Sequence, residues 1–412
     1  MRLAIDQERL SRELETLGSI SSEPAPVVTR VVFTAADLHA RDFVKGLCRS
    51  AGLELREDAV GNTFARWIGA DNALAAVGTG SHMDALPNGG RYDGTVGVLG
   101  GLEAIRALQR SGFQPRRSIE LLVFTSEEPT RFGIGCLGSR LLTGSLDAAA
   151  GAALKDASGE SLDGIRASAG FTGSLSSVRL PGHYYSAFVE LHIEQGPILE
   201  QHNTDLGVVT AIAAPASLRI SIEGEGGHAG AVLMPDRRDA FLAAAEISLA
   251  IELAARSTGA RDTVATVGVC QVFPGAINSI PSRVRLEVDV RDIDNDRRDA
   301  VLREIQAKIT EVAARRKVRS HIETLNADPP AHCDPAIVET LVRACQTHGL
   351  SFERMISRAY HDSLFISRIA PAAMIFIPCR GGVSHRPDEY ATPEAIAKGA
   401  LILAETLAEL SK

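Results

Sequence analysis

Several features this 412-residue chain does not have narrow it first. Its six cysteines (Cys48, Cys136, Cys270, Cys333, Cys345, Cys379) lie far apart and form no C-x-x-C pair. Buried, reduced thiols in the cytoplasm are the expectation. No apolar run approaches the length of a membrane span. The start, Met1-Arg2-Leu3-Ala4-Ile5-Asp6, reaches an acidic residue too soon for a secretory signal. A basic excess is also missing. Lys and Arg number 43 against 51 Asp and Glu, a net charge of −8, which argues against nucleic acid or an anionic membrane as partner. There is no internal repeat and no low-complexity tract.

The rest of the composition is that of a soluble globular protein, 45% hydrophobic and 23% charged. At this length one core usually stops growing, so two domains are expected. Strand and helix alternate through the first half. Thr34 and Asp37 resemble a capping box opening a helix from Ala35 to Ala51, which Gly52 closes. Strand patterns follow at Asn62–Trp67, Ser118–Phe124 and Tyr185–Ile193, with a helix from Gly94 to Arg110. Near residue 212 the pattern becomes a compact α+β set. It comprises strands at Ser217–Glu223, Thr263–Val272 and Arg283–Val290, and helices at Asp236–Arg256 and Arg297–Arg316. Asp328-Pro329-Pro330 reads as a return linker. The sheet pattern then resumes at Ala373–Ile377 and closes with a helix from Pro393 to Leu410. The expected fold is therefore an α/β domain of residues 1–211 and 329–412, a sheet flanked by helices, with an α+β domain of 212–328 inserted.

Chemistry-bearing residues gather where strands end. Gly80-Ser81-His82-Met83-Asp84 and Gly89-Gly90-Arg91-Tyr92-Asp93-Gly94 place a His and two Asp on glycine-rich turns, as a zinc- or manganese-type site requires. His82 alone could equally be satisfied by a backbone carbonyl, and Asp93 could cap the following helix. Asp84 is placed to accept the other N–H of His82. Glu127-Glu128 follows an apolar strand. One carboxylate would bind metal and the other take a proton from water; a solvated loop is the plain alternative. His192 in Leu191-His192-Ile193-Glu194-Gln195-Gly196-Pro197 and His385 in Val383-Ser384-His385-Arg386-Pro387 also follow strands. Loops at the carboxyl edge of an open α/β sheet face one crevice, so the four segments are expected to meet. In the inserted region, His228 between glycines and alanine could offer an N–H to an oxyanion. Arg291 and Asn278 could hold a carboxylate. A turn histidine, a turn asparagine, and an arginine paired with Asp289 or Asp292 remain equally open.

These motifs, in this order from about residue 78 to the C-terminus, resemble the amidase/hydantoinase/carbamoylase family of dinuclear metal hydrolases, relatives of the aminoacylases. That family includes N-carbamoyl-L-amino acid hydrolases, allantoate amidohydrolases and ureidoglycolate amidohydrolases. The resemblance implies an aminopeptidase-like catalytic domain, with the insert as lid and homodimer interface. It implies that His82, Asp93 and His192 bind metal, Asp93 bridging, and that Glu128 and His385 complete a pair of divalent ions (Zn²⁺ or Mn²⁺, with Co²⁺ or Ni²⁺ as alternatives). It makes Glu127 the general base and His228 the oxyanion donor. Gln195, Asn278, Arg291, Tyr360 and His361 would contact substrate. One segment departs from the family. Many members have Ser-Gly-Ala-Gly-His-Asp-Ala where this chain has Ser357-Arg358-Ala359-Tyr360-His361-Asp362-Ser363. Arg358 and Tyr360 would narrow a pocket, as in the ureidoglycolate amidohydrolases, unless they pack structurally. The expected reaction is cleavage of a ureido or carbamoyl C–N bond of a small acid with release of ammonia and CO₂, of the ureidoglycolate or allantoate type. An N-carbamoyl-L-amino acid hydrolase, a β-ureidopropionase, an aminoacylase or dipeptidase, and a non-catalytic relative are the rivals.

Overall fold

Four almost wholly buried segments form the centre of a mixed sheet, and they run parallel. In order across the sheet they are Ala372–Ile377, Tyr185–Ile193, Ala76–His82 and Ile119–Phe124. Parallel strands covered on both faces read as near-continuous apolar runs, as Ala372–Ile377 does throughout and Ile119–Phe124 does apart from Glu120. Antiparallel strands extend both flanks: Thr63–Trp67 then Glu54–Glu57 on one side, Leu206–Ile212 then Ala331–His332 on the other. This computed structural model describes residues 3–412, and among them no helix is long and apolar enough to cross a membrane.

Helices Thr95–Arg110 and Pro393–Leu410 pack on each other and on the central strands. Elsewhere Phe64, Phe124, Tyr185 and Phe188 pack with Leu137, Leu141 and Ile366 in one apolar cluster. Thr34 caps the helix Ala35–Ser50 as expected, accepting the Asp37 N–H. The reciprocal half of the box is shifted: Asp37 accepts from Phe33 N–H and pairs with Arg41.

The chain divides into two units. One contains the chain up to Thr210, Cys333–Ser357 and His361–Lys412; the other contains Ala211–His332 and Arg358–Tyr360. The second unit is a four-stranded antiparallel sheet in the order Val264–Phe273, Arg283–Asp292, Ala214–Glu223, Arg319–Ala327. Leu218, Ile220, Ile222, Val284, Leu286, Val288 and Val290 pack with Ile247, Ile251, Ile305 and Ile309 from helices Ala240–Ser257 and Asn295–Arg316. The first of these helices starts later than its apolar pattern suggests. Met234–Asp236 is a separate 3₁₀ turn, and Asp239 caps the helix by accepting from Phe241 and Leu242.

Candidate metal centre

Because the four central strands are parallel, their carboxyl ends share one edge, and the candidate side chains sit at those ends or just beyond them. Asp84 comes just after Ala76–His82, Glu127 and Glu128 just after Ile119–Phe124, and Gln195 just after Tyr185–Ile193. His385 lies beyond Ala372–Ile377. Ser126 (φ 55°), Gln195 (φ 57°) and His385 (φ 59°) adopt left-handed backbone on these exits. Such conformations persist where surrounding contacts over-determine them. At Ser126 the contacts are visible: Asp84 Oδ1 and Oδ2 accept the N–H groups of Glu127 and Glu128 at 3.1 and 3.0 Å.

Asp93 stands at the middle. Its Oδ1 lies 3.5 Å from His82 Nε2 and 3.1 Å from His192 Nε2, and its Oδ2 lies 3.2 Å from His385 Nε2. His385 Nε2 is also 3.6 Å from Glu128 Oε1, and Glu127 Oε2 is 3.8 Å from His82 Nε2. Ligand atoms of His82, Asp93 and His192 lie within 4.8 Å of one another, as do those of Asp93, Glu128 and His385. The structure thus brings all five expected ligands and Glu127 together. Gly94 makes the close approach possible: its φ is +67°, and a Cβ there would lie 2.5 Å from the His82 ring.

The imidazoles are oriented by main chain. His82 Nδ1 lies 3.1 Å from the Asp84 carbonyl, and His192 Nδ1 2.9 Å from the Ile193 carbonyl. A carbonyl only accepts, so each Nδ1 carries a hydrogen and each ring turns its Nε2 toward Asp93. This corrects the expected role of the Asp84 carboxylate. Its nearest oxygen is 3.7 Å from His82 Nδ1, and its hydrogen bonds go to the Glu127–Glu128 turn instead.

Clustered carboxylates need positive charge beside them, and the electrostatics say so. Burial would raise the Asp93 pKa, but hydrogen bonds from His192, His385 and His82 hold it well below the usual carboxylate range. The hydrogen bond to Asp93 lifts His385 to about 9. Burial, then Asp93, pushes Glu128 to about 7. Burial pushes Glu127 well up, against the pull of His82 and with the push of Glu128, Asp362 and Asp93. A set of imidazole nitrogens and carboxylate oxygens turned toward one another, buried except at His385, fits divalent metal ions.

The remaining candidates fall in different places. Gln195 Nε2 donates to Asp93 Oδ2 at 2.7 Å. His361 is buried, with Nε2 3.0 Å from Ser357 Oγ and its ring edge-on to His192 at 4.6 Å between centroids. Tyr360 hydroxyl bonds to the Asp328 carboxylate, and Arg358 pairs with Asp262 at 2.8 Å. Arg358 and Tyr360, expected to add donors to a pocket, meet protein carboxylates in this conformation, and His361, expected to contact substrate, faces Ser357 and the His192 ring. In the second unit, Arg291 Nε donates to Asp289 at 2.8 Å and Nη1 to the Arg358 carbonyl at 2.9 Å. The strand pair Gly227–His228 and Ser279–Ile280 brings His228 beside Asn278, whose carbonyl accepts from Ala229 N–H at 2.9 Å. His228 Nδ1 accepts from Gly230 N–H at 3.1 Å, which puts the ring hydrogen on Nε2.

Three buried groups escaped the sequence reading. Glu190 accepts from Ser81 and Ser363 hydroxyls; a charge two residues before His192 in an apolar strand was its signal. Cys136 Sγ lies 3.5 Å from Glu127 Oε1. Glu389 accepts the N–H groups of Tyr92 and Asp93. Neither of the last two carries a local pattern.

Against known proteins, peptidase family M20/M25/M40 matches residues 78–409. The chain is 53% identical to a ureidoglycolate hydrolase of Arabidopsis thaliana, over 99% of this chain and 87% of that one. The crystal structure of AtUAH in complex with glyoxylate superposes with a TM-score of 0.90 at 53% identity, covering 99% of this chain and 98% of that one. A hydantoinase/carbamoylase family amidase from Burkholderia multivorans does so at 34% identity, with a TM-score of 0.90 and the same two coverages. The chain belongs to the M20/M25/M40 peptidase family and, within it, to the hydantoinase/carbamoylase amidases, hydrolases of carbon–nitrogen bonds.

Proposed function

We propose that this protein is a dinuclear-metal amidohydrolase that cleaves the ureido C–N bond of ureidoglycolate, releasing ammonia and CO₂. The observation that carries the chemistry is the division of Asp93: Oδ1 faces His82 and His192, and Oδ2 faces His385. One ion would be held by the first group and one by Asp93, Glu128 and His385. When bound, such a pair polarises a carbonyl and makes water a nucleophile at neutral pH. Glu127, beside both groups and needed by neither, takes the proton from the attacking water and returns it to the leaving nitrogen. His228 offers its Nε2 hydrogen to the developing oxyanion. Arg291 spends three of its five guanidinium hydrogens on Asp289 and the Arg358 carbonyl; the other two remain for a substrate carboxylate. Gln195 and Asn278 supply amides for the ureido end and the carboxylate.

The choice of ureidoglycolate rests on 53% identity to a ureidoglycolate hydrolase over 99% of this chain. Ammonia release by metal-reconstituted protein tests it across ureidoglycolate, allantoate, β-ureidopropionate and N-carbamoyl-L-amino acids. Ureidoglycolate should be turned over fastest; an inert ureidoglycolate beside an active carbamoyl amino acid would overturn the choice.

The same reading includes a homodimer through the second unit. Val264–Phe273 is an edge strand, and the adjoining helix exposes Leu242, Leu249 and Leu253 on one stripe. An unpaired edge beside an apolar stripe suits a second copy about a two-fold axis. Light scattering should give twice the monomer mass for the native chain and a monomer for Leu249→Asp/Leu253→Asp. The cytoplasm suits its six free cysteines.

A further inference from the structure

The turn that carries Asp93 and the turn that carries His385 lie nearly 300 residues apart in the chain, and one carboxylate ties them. Glu389 is 3% exposed. Its Oε1 accepts the N–H groups of Tyr92 at 2.7 Å and Asp93 at 3.0 Å. Its Oε2 lies 3.0 Å from Ser384 Oγ, whose hydroxyl donates to Asp93 Oδ2 at 2.6 Å. We infer that Glu389 is the positioning residue for the Asp93 Oδ2–Glu128–His385 half of the centre. The inference rests on the proposal that the centre holds two ions.

Local chemistry explains why a distant residue is needed. The first N–H groups of the helix that starts at Thr95 find main-chain acceptors in the turn before it. The buried N–H groups of residues 92 and 93, in that turn, take their acceptor from Glu389 instead. Space is reserved for it: a Cβ on Gly90 would stand 2.3 Å from the Glu389 carboxyl carbon.

The two halves depend on Glu389 unequally. His82 and His192 are buried, their Nδ1 atoms are on main-chain carbonyls, and they meet Asp93 at Oδ1. His385 has a side chain 49% exposed on a left-handed residue, directly after Ser384. Loss of Glu389 removes the anchor shared by the Tyr92–Asp93 turn and Ser384, and so loosens the Ser384–His385 side of the centre while leaving the strand-borne half in place.

Metal content at controlled free metal concentration, measured on full-length protein, tests this without substrate. Glu389→Ala should keep the tighter equivalent and bind the other about 10- to 100-fold more weakly. Its kcat should fall with KM little changed. Glu389→Gln keeps an acceptor for both N–H groups and should restore most of the loss. Ser384→Ala, a variant that leaves Glu389 on the main chain, should weaken the same equivalent and covers a Glu389→Ala protein that fails to fold. Two equivalents at native affinity in Glu389→Ala would overturn the inference. So would native affinity in Ser384→Ala if Glu389→Ala does not fold, or a Gln variant no better than Ala. A native chain that binds two ions but spares every ureido substrate would sink the proposed function alone.

Discussion

In the unit built on the parallel sheet, charged side chains occupy the deepest positions. His82, His192, Asp84 and Glu190 are at most 2% exposed, each held by main chain or by a serine. In the unit of residues 211–332 and 358–360, the deep positions are mostly aliphatic and the candidates lie outside the core: His228 and Asn278 are exposed, and Arg291 is half-buried. The contrast separates two tasks. Reactive groups gain from burial, because a water-poor setting strengthens each charge interaction and fixes geometry before substrate arrives. On the proposed function, His228, Asn278 and Arg291 meet the substrate itself, and groups that do so must keep hydrogens open on accessible side chains.

The comparison breaks most easily at Glu127. Glu127→Gln should cut kcat by between about 10²- and 10⁴-fold, the usual value of a general base, with metal content unchanged. Steady-state ammonia release beside elemental analysis measures both, and a rate within tenfold of native would remove Glu127 from the chemistry. Arg291→Ala should raise KM for a carboxylate substrate by about 10- to 100-fold, as loss of a charged hydrogen bond does, and leave kcat near native. If kcat falls and KM holds, Arg291 acts in the chemistry and does not merely hold the carboxylate.

The smallest effect concerns stability in the second unit. Hydrogen bonds from Arg316 and Arg315 hold Glu246 down at about 2, below its ordinary value of 4.5. A depressed carboxyl stabilises the fold fully above its unfolded pKa, and the gain disappears as pH falls through the folded one. Glu246→Gln should therefore lower Tm by only a degree or so at neutral pH, since the pair is largely exposed. The gap to native should stay level down to about pH 5 and close toward pH 2, read from melts across that range. A gap that widens in acid would contradict the sign.

Much of the centre was legible because its residues sit at strand exits. A run such as Ile119–Phe124 announces a buried strand, and the polar residues after it must lie at the sheet's edge. Four such exits in parallel strands converge, so His82, Glu127, Glu128, His192 and His385 could be gathered from pattern alone. Asp84 shows where pattern stops. Two residues after His82 it was well placed to orient the ring, but its carbonyl does that, and its carboxylate braces a turn more than 40 residues on. Arg358 and Tyr360 looked like pocket residues and are paired with Asp262 and Asp328. Sequence shows that a side chain can donate a hydrogen bond, without showing which acceptor it meets first.

By itself, then, the sequence determined the elements, the strand-end placement of the reactive groups and the class of chemistry, since these depend on local periodicity and residue type. Tertiary structure alone decided which atom of each residue is used. It gave the Nδ1 hydrogens of His82 and His192 to carbonyls, split Asp93 between two sets of donors, and brought Glu389 to main-chain N–H groups almost 300 positions away. The physical reason is that a buried polar group must find a partner, and the partner is whatever the packed chain places within about 3 Å.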